Sequence, residues 1–289
     1  MIYLDADATR ASLSMPDAIE AMRRAFTEES EAPLRIPLGG SMFMPGRVGD
    51  ITAIKVVSTV PGNPVGIVAV FDPEGSPLGV VDGPTLTAIR TGAISGLATD
   101  ALATRNASTL AMLGAGAMAY DQVAAVKAVR PVERILVWSR NPANAERLAA
   151  KVGGVAVEDA DDAVSRSNIV SCATPALSPL FHPDSVQEGT HINAVGAFKP
   201  EMVEVPPETV ERAYVVVDDY EAAAAEAGDL LQVNRTANAS LRELLAGTSP
   251  AIGEDVTLFK SVGVAEQDVT AGHAALLNAA AAGLGISVG

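Results

Sequence analysis

The sequence is poor in cysteine, in aromatic side chains and in positive charge. One cysteine in 289 residues, Cys172, leaves no partner for an internal disulfide and too few thiols for a cysteine-rich zinc site. Aromatic residues make up 4%, so the core must be built from Ala, Val, Leu and Ile. Lys and Arg number 20 against 35 Asp and Glu, a net charge of −15. Such a surface repels phosphate backbones, and no basic stripe interrupts it, so no nucleic-acid partner is expected. No stretch of about 20 residues is apolar enough to span a bilayer. The most apolar tail, residues 274–289, is too small in side chain and too rich in glycine. The opening MIYLDADATR carries acids where a secretory leader has a basic end and an apolar run. A cytoplasmic protein without a membrane partner is expected.

What is present suffices for a full core: 48% apolar residues and 19% charged. At roughly 150 residues per domain the chain suggests one large domain or two ordinary ones. Two styles of sequence follow one another. Up to residue 105, short strand-like runs alternate with turns. Ser14, with Asp17 three residues on, reads as a cap for a helix over Asp17–Glu29, with Ile19, Met22, Arg23 and Phe26 on one side. Runs at Asp50–Val57, Val65–Asp72 and Pro77–Val81 read as strands. The second and third are joined by the turn Asp72-Pro73-Glu74-Gly75. A helix over Thr85–Ala103 follows. From Ala107 strands and helices alternate with short links: Thr109–Leu113, Ala117–Val129, Arg134–Ser139, Pro142–Val152, Val155–Val157, Ala160–Arg166. Apolar runs at Ile169–Ala173, His191–Val195, Tyr214–Asp218 and Thr257–Val262 complete a set that implies a parallel sheet covered on both faces. The helix over Gln267–Ala282 is apolar nearly all round and is expected to be buried.

The strongest local motif is Gly114-Ala115-Gly116-Ala117-Met118-Ala119, which follows a strand and opens a helix. Gly114 suits the tight turn, Gly116 lets a pyrophosphate approach the backbone, and Ala119 lets helix and strand pack closely. The helix N-terminus then favours the anion. An ordinary tight turn is the alternative for the glycines alone; the βαβ context favours dinucleotide binding. The end of the next strand, Ser139-Arg140-Asn141, carries no acid to hold a ribose 2′-hydroxyl or to repel a 2′-phosphate. Arg140 offers charge and Ser139 a hydrogen bond, which points to NADPH, with NADH possible. Arg140 as the mere start of a solvated helix is the alternative.

These residues and those before them resemble the ornithine cyclodeaminase/mu-crystallin family along nearly the whole chain. The resemblance rests on Ile54-Lys55-Val56, Asp82-Gly83, Thr87-Ala88-Ile89-Arg90-Thr91-Gly92-Ala93, the turn Gly114–Ala119, Asn193–Ala197 and Phe259–Gly263. It implies a Rossmann-type doubly wound α/β sheet over residues 106–263. An α+β substrate-binding and dimerisation domain is implied over residues 1–105 and 264–289. A homodimer acting on a small imino or amino acid is also implied. The family spans cyclodeaminases, amino-acid dehydrogenases and ketimine reductases, so it does not fix the reaction.

Arg35, among apolar residues and prolines, is either a surface charge or an anion clamp. The resemblance makes it a holder of the substrate carboxylate. Lys55, in an apolar strand, is either an edge charge or a functional amine. The resemblance makes it the active-site lysine, which can share a proton with an imine nitrogen. Arg90, in an apolar helix, needs an anion, from the protein or from a ligand. The resemblance puts it at substrate and cofactor, with Thr91 beside it. By resemblance Thr174 lines the dinucleotide with Gly114, Gly116, Ala117, Met118, Ser139, Arg140 and Asn141, and Val195, Gly196, Ser261 and Val262 lie near the nicotinamide. Cys172 reads as a core residue. His182, His191 and His273 lack metal spacing, so no metal is expected.

One departure bears on the reaction. Cyclodeaminases carry an aspartate shortly after the Gly196 turn, where this sequence reads Val195-Gly196-Ala197-Phe198-Lys199-Pro200. Phe198 cannot take a proton, and Glu201 is three residues out of place. The Gly-Ala-x-x-Pro pattern is more similar to that of ketimine reductases. The expectation is an NADPH-preferring reductase of Δ1-pyrroline-2-carboxylate or Δ1-piperideine-2-carboxylate, giving proline or pipecolate. The alternatives are ornithine cyclodeaminase and an alanine dehydrogenase-like enzyme.

Overall fold

The computed structural model describes residues 1–60, 62–63, 65–248 and 256–289. The chain begins with β1 (Ile2–Leu4), α1 (Ala6–Ser12), α2 (Met15–Thr27), β2 (Ser30–Glu31), β3 (Ile36–Leu38) and β4 (Ser41–Val48). It continues through β5 (Ile51–Ser58), β6 (Gly66–Phe71), β7 (Pro77–Asp82) and α3 (Gly83–Leu102). A second series follows: β8 (Thr109–Leu113), α4 (Ala119–Val129), β9 (Arg134–Trp138), α5 (Pro142–Val152), β10 (Val155–Ala156), α6 (Ala160–Ser165), β11 (Ile169–Cys172) and β12 (His191–Ala194). Then come α7 (Pro207–Arg212), β13 (Tyr214–Val217), α8 (Tyr220–Glu226), α9 (Gly228–Leu231), β14 (Ala239–Ser240), α10 (Leu241–Leu245) and β15 (Thr257–Lys260). The chain closes with α11 (Ala265–Ala282) and β16 (Ile286–Ser287).

These elements divide into two compact units, residues 1–94 with 264–289 and residues 95–263. The first junction lies inside α3, where the buried guanidinium of Arg130 takes the carbonyls of Thr99, Asp100, Ala103 and Thr104 and so ties the last turns of α3 to the second unit.

In the first unit the sheet runs β16-β1-β7-β6-β5-β4-β2, with β3 paired to β4. Helix α11 packs on β4, β5 and β6 and against α2. Helix α2 buries Ala18, Ile19, Met22, Ala25 and Phe26, the helical spacing of a core-facing stripe. Arg23 sits at the rim of that stripe beside Glu20. Ser14 caps α2 by accepting from the Asp17 amide. Strand β4 is invisible to pattern reading because Pro45 and Gly46 interrupt it. Gly46 is needed there, since a β-carbon would press on Ala265 of α11 at 2.9 Å. Helix α11 is less buried than its composition suggests. Its first half is enclosed, but Leu277 and the last alanines are exposed.

In the second unit the sheet runs β10-β9-β8-β11-β12-β15-β13-β14, every described pairing parallel. Strands β8 to β10 are laid down in one direction from the centre and β11 onward in the other. The order therefore reverses between β8 and β11, the place where open α/β sheets take ligands. Leu110, Met112, Val123, Val126, Val137 and Ile169 form a core of buried side chains under it. Cys172 lies fully buried in this sheet, and burial raises its thiol pKa well above the ordinary value.

Candidate active site

Three charged groups meet inside the first unit. Lys55 is not at an edge: β5 lies between β4 and β6, and its neighbours across the sheet are Met44 and Val68. Side chains opposite one another share a face, and this face lies under α11, so Lys55 is 3% exposed. Its Nζ donates to Thr87 Oγ1 at 2.6 Å and lies 3.2 Å from Asp268 Oδ1. Arg90, 6% exposed, points its Nε at the same Asp268 oxygen at 3.3 Å, while its Nη1 donates to Gln267 Oε1 at 2.5 Å. The anion that Arg90 requires is thus a protein acid on α11. Thr91 is buried beside it.

Burial draws the Lys55 ammonium down to about 8. Asp268 works against that shift, and the charges of Arg90 and Arg35 add to it. Arg35, half-buried just before β3, is therefore close enough for its charge to reach the lysine. A buried amine poised near neutrality can hold or give a proton without a large cost either way.

The second unit carries a cleft of about 560 Å³ at the C-terminal ends of β8, β9 and β11. Its wall includes Gly114, Gly116, Ser139, Arg140, Asn141 and Thr174. Gly114 has φ +109°, which glycine tolerates, and a β-carbon there would press on Thr174 and the Ala173 carbonyl. Gly116, by contrast, faces open space. Helix α4 starts at Ala119, two residues later than the sequence suggests. Ala117 and Met118 form a turn at its mouth, and no side chain caps the helix. Free amides beside an open glycine suit a pyrophosphate. Among the described residues, no acidic side chain lines the cleft. Ser139 accepts from the Asn141 amide, and Asn141 caps α5, so Arg140 is the exposed charge of that turn.

Residues after β11 and β12 are held by one carboxylate that sequence reasoning missed. Glu204, fully buried, accepts at Oε1 from the amide and hydroxyl of Thr174 and at Oε2 from the amides of Gly196 and Ala197. Gly196 has no room for a β-carbon against the Thr174 backbone. Burial raises the Glu204 pKa, with Lys260 opposing. Lys260, also fully buried, lies 2.8 Å from Asp229 and donates to the Ala197 carbonyl. On the neighbouring turn Asp218 accepts from the Ser261 hydroxyl and from the amides of Val262 and Gly263. The register aligns Leu113, Cys172, Ala194 and Lys260, so Gly114, Thr174, Val195, Gly196 and Ser261 follow on one rim. Val195 itself turns into the core.

Asp268 and Glu204 carry no signal of the kind that singled out Arg90: Glu266 stands two residues before Asp268 and Glu201 three before Glu204, so neither is a lone acid in an apolar stretch. Their partners lie up to 213 residues away in sequence, beyond any local pattern.

The profile of the ornithine cyclodeaminase/mu-crystallin family matches residues 11–280. The chain is 34% identical to a Delta(1)-pyrroline-2-carboxylate reductase of Bacillus cereus, over 93% of this chain and 94% of that one. It is 38% identical to the ketimine reductase mu-crystallin of Rattus norvegicus, over 71% of this chain and 66% of that one. Its fold matches the Delta(1)-pyrroline-2-carboxylate reductase of Thermococcus litoralis, solved with NADH and L-proline, with a TM-score of 0.94 over all of both chains at 33% identity. Matched over nearly its whole length, with the glycine turn and the buried lysine and arginine in the segments that first suggested the likeness, the chain belongs to the ornithine cyclodeaminase/mu-crystallin family.

Proposed function

We propose that this protein is an NADPH-preferring reductase of a small cyclic ketimine carboxylate, converting Δ1-pyrroline-2-carboxylate to proline or Δ1-piperideine-2-carboxylate to pipecolate. The observation that carries this reading is Lys55: a buried amine held near neutrality, beside the guanidinium of Arg90 and within reach of the charge of Arg35. Arg35 and Arg90 clamp the carboxylate, fixing the orientation of the ring. Lys55 gives its proton to the imine nitrogen and regains one from water. The dinucleotide, when bound, supplies the hydride that the imine carbon receives.

The glycine turn and the uncapped start of α4 hold the pyrophosphate. Arg140 meets the 2′-phosphate, in a cleft wall with no acid among the described residues to repel it. The Thermococcus relative was solved with NADH, so the choice between dinucleotides rests on Arg140. Thr91, Val195, Gly196, Ser261 and Val262 serve the cofactor through shape and backbone, because their polar groups are mostly committed to neighbours.

Cyclodeamination is disfavoured because the exposed ring of Phe198 stands where that chemistry wants an acid. The test is a paired assay. NADPH should be oxidised rapidly with either cyclic imine carboxylate and very slowly with Δ1-pyrroline, which lacks the carboxylate. Ornithine with catalytic NAD should yield no ammonia. Efficient ornithine deamination would overturn the reading in favour of the lyase.

A homodimer fits the outer face of the first sheet. Ile36, Phe43, Val56 and Ile67 are paired in register across β3, β4, β5 and β6, and so share a face. Ile36 is 50% and Ile67 45% exposed. An apolar row of this kind is a natural contact for a second copy.

A further inference from the structure

The carboxylate of Asp268 is used on one side only. Oδ1 takes both cations, Lys55 Nζ at 3.2 Å and Arg90 Nε at 3.3 Å. Oδ2 is buried and has no hydrogen-bond partner among the described residues. Asp268 as a whole is 1% exposed. A buried carboxylate oxygen left without a donor is costly, so such oxygens are retained where a donor arrives. The described bonds of the two cations go elsewhere: Lys55 Nζ to Thr87 and Oδ1, Arg90 Nε to Oδ1 and Arg90 Nη1 to Gln267.

We propose that Asp268 is a substrate-binding residue whose Oδ2 accepts the N–H of the protonated ring nitrogen, in the iminium substrate and in the amine product alike. This rests on the reading of Lys55 as the proton donor to that nitrogen. Once the proton has moved from Nζ to the imine, the new N–H needs an acceptor and the new positive charge needs an anion. Asp268 supplies both from the α11 side. The cluster then contains two arginines for a carboxylate and one acid for a cationic nitrogen, the charge pattern of a cyclic imino acid. An oxo acid presents a lone pair at the same place and no N–H, so Oδ2 repels it. The site therefore selects imines over the corresponding oxo acids by charge as well as by shape.

The test compares two ring carboxylates of the same size on the wild-type protein with NADP⁺ bound, by calorimetry: L-proline, whose ring nitrogen carries N–H, and tetrahydrofuran-2-carboxylate, whose ring oxygen only accepts. Proline should bind at least about 10-fold more tightly, the range of a hydrogen bond to a charged group. A protonated Lys55 by itself would favour the ring oxygen, so the preference isolates Asp268. Equal affinity for the two overturns the role of Asp268 while leaving the carboxylate clamp intact. Binding of neither overturns the underlying assignment as well. Asp268→Asn should reduce the proline preference to about 2-fold or less. It should also move the alkaline fall of kcat/KM to lower pH, since the charge of Asp268 supports the ammonium of Lys55 against the charges of Arg90 and Arg35. An unshifted profile with the preference retained would make Asp268 a packing residue only.

Discussion

A lysine in the middle of a sheet is costly to bury unless its charge is matched, and Lys55 is matched by one shared carboxylate. With burial lowering it to about 8, the ammonium is present below that pH and lost above it. As the acid in imine reduction it should give a kcat/KM that holds below pH 8 and falls as pH rises past 8. Lys55→Met should lower kcat by about 100-fold or more, the scale of lost acid catalysis, with NADPH still bound. Near wild-type turnover in that variant would reduce Lys55 to a structural charge. Arg140→Asp should weaken NADPH binding about 10-fold or more and spare NADH, measured by fluorescence titration. A wild-type preference for NADH would refute the role of Arg140. Lys55 and Arg90 were legible in sequence because a charge in an apolar element needs an explanation. That both charges lean on Asp268 was not legible, because the contact closes between segments that only the folded chain brings together.

Among the elements, the strands of the second sheet were read nearly to the residue. Thr109–Leu113 stands as expected, and β9, β11 and β12 end one residue early. Buried parallel strands are continuous apolar runs between turn signals, which a sequence displays plainly. The first sheet was harder, since β4 is broken in pattern by Pro45 and Gly46 and the short pairings of β1, β2, β3 and β16 carry no periodicity. One buried polar chain crosses the strands of the second sheet. His191 on β12 meets Thr257 Oγ1 on β15 at 2.9 Å and Asn193 Oδ1 at 3.1 Å, and Asn193 donates to Thr99. Burial holds His191 down to about 4, against 6.5 when free. The unfolded chain therefore binds its proton first as pH falls, and stability is lost between about pH 6.5 and 4. Urea unfolding should show about 2 kcal/mol less stability at pH 5 than at pH 7 from this group alone. His191→Gln should remove that part of the pH dependence; an unchanged slope would mean His191 stays solvated.

For the whole molecule, the division of labour follows from the two sheets. The parallel one has the topology and the glycine turn of a dinucleotide site, and the mixed, mainly antiparallel one keeps a lysine, two arginines and an acid in or near one buried cluster. Length left one large domain or two open, and the return of the last helix to the first part of the chain was implied by the family resemblance alone. The acid on α11, at residue 268 of 289, belongs to that return. The outer apolar row should hold a dimer: Ile67→Lys should shift the protein toward monomer in sedimentation, and a monomeric wild type would contradict that. The reduction itself is tested most directly by following the hydride. With NADPH deuterated at the transferable position and Δ1-pyrroline-2-carboxylate as substrate, mass spectrometry should find proline one mass unit heavier, the label on the carbon that bears the carboxylate. Unlabelled proline, or no proline at all, would contradict it.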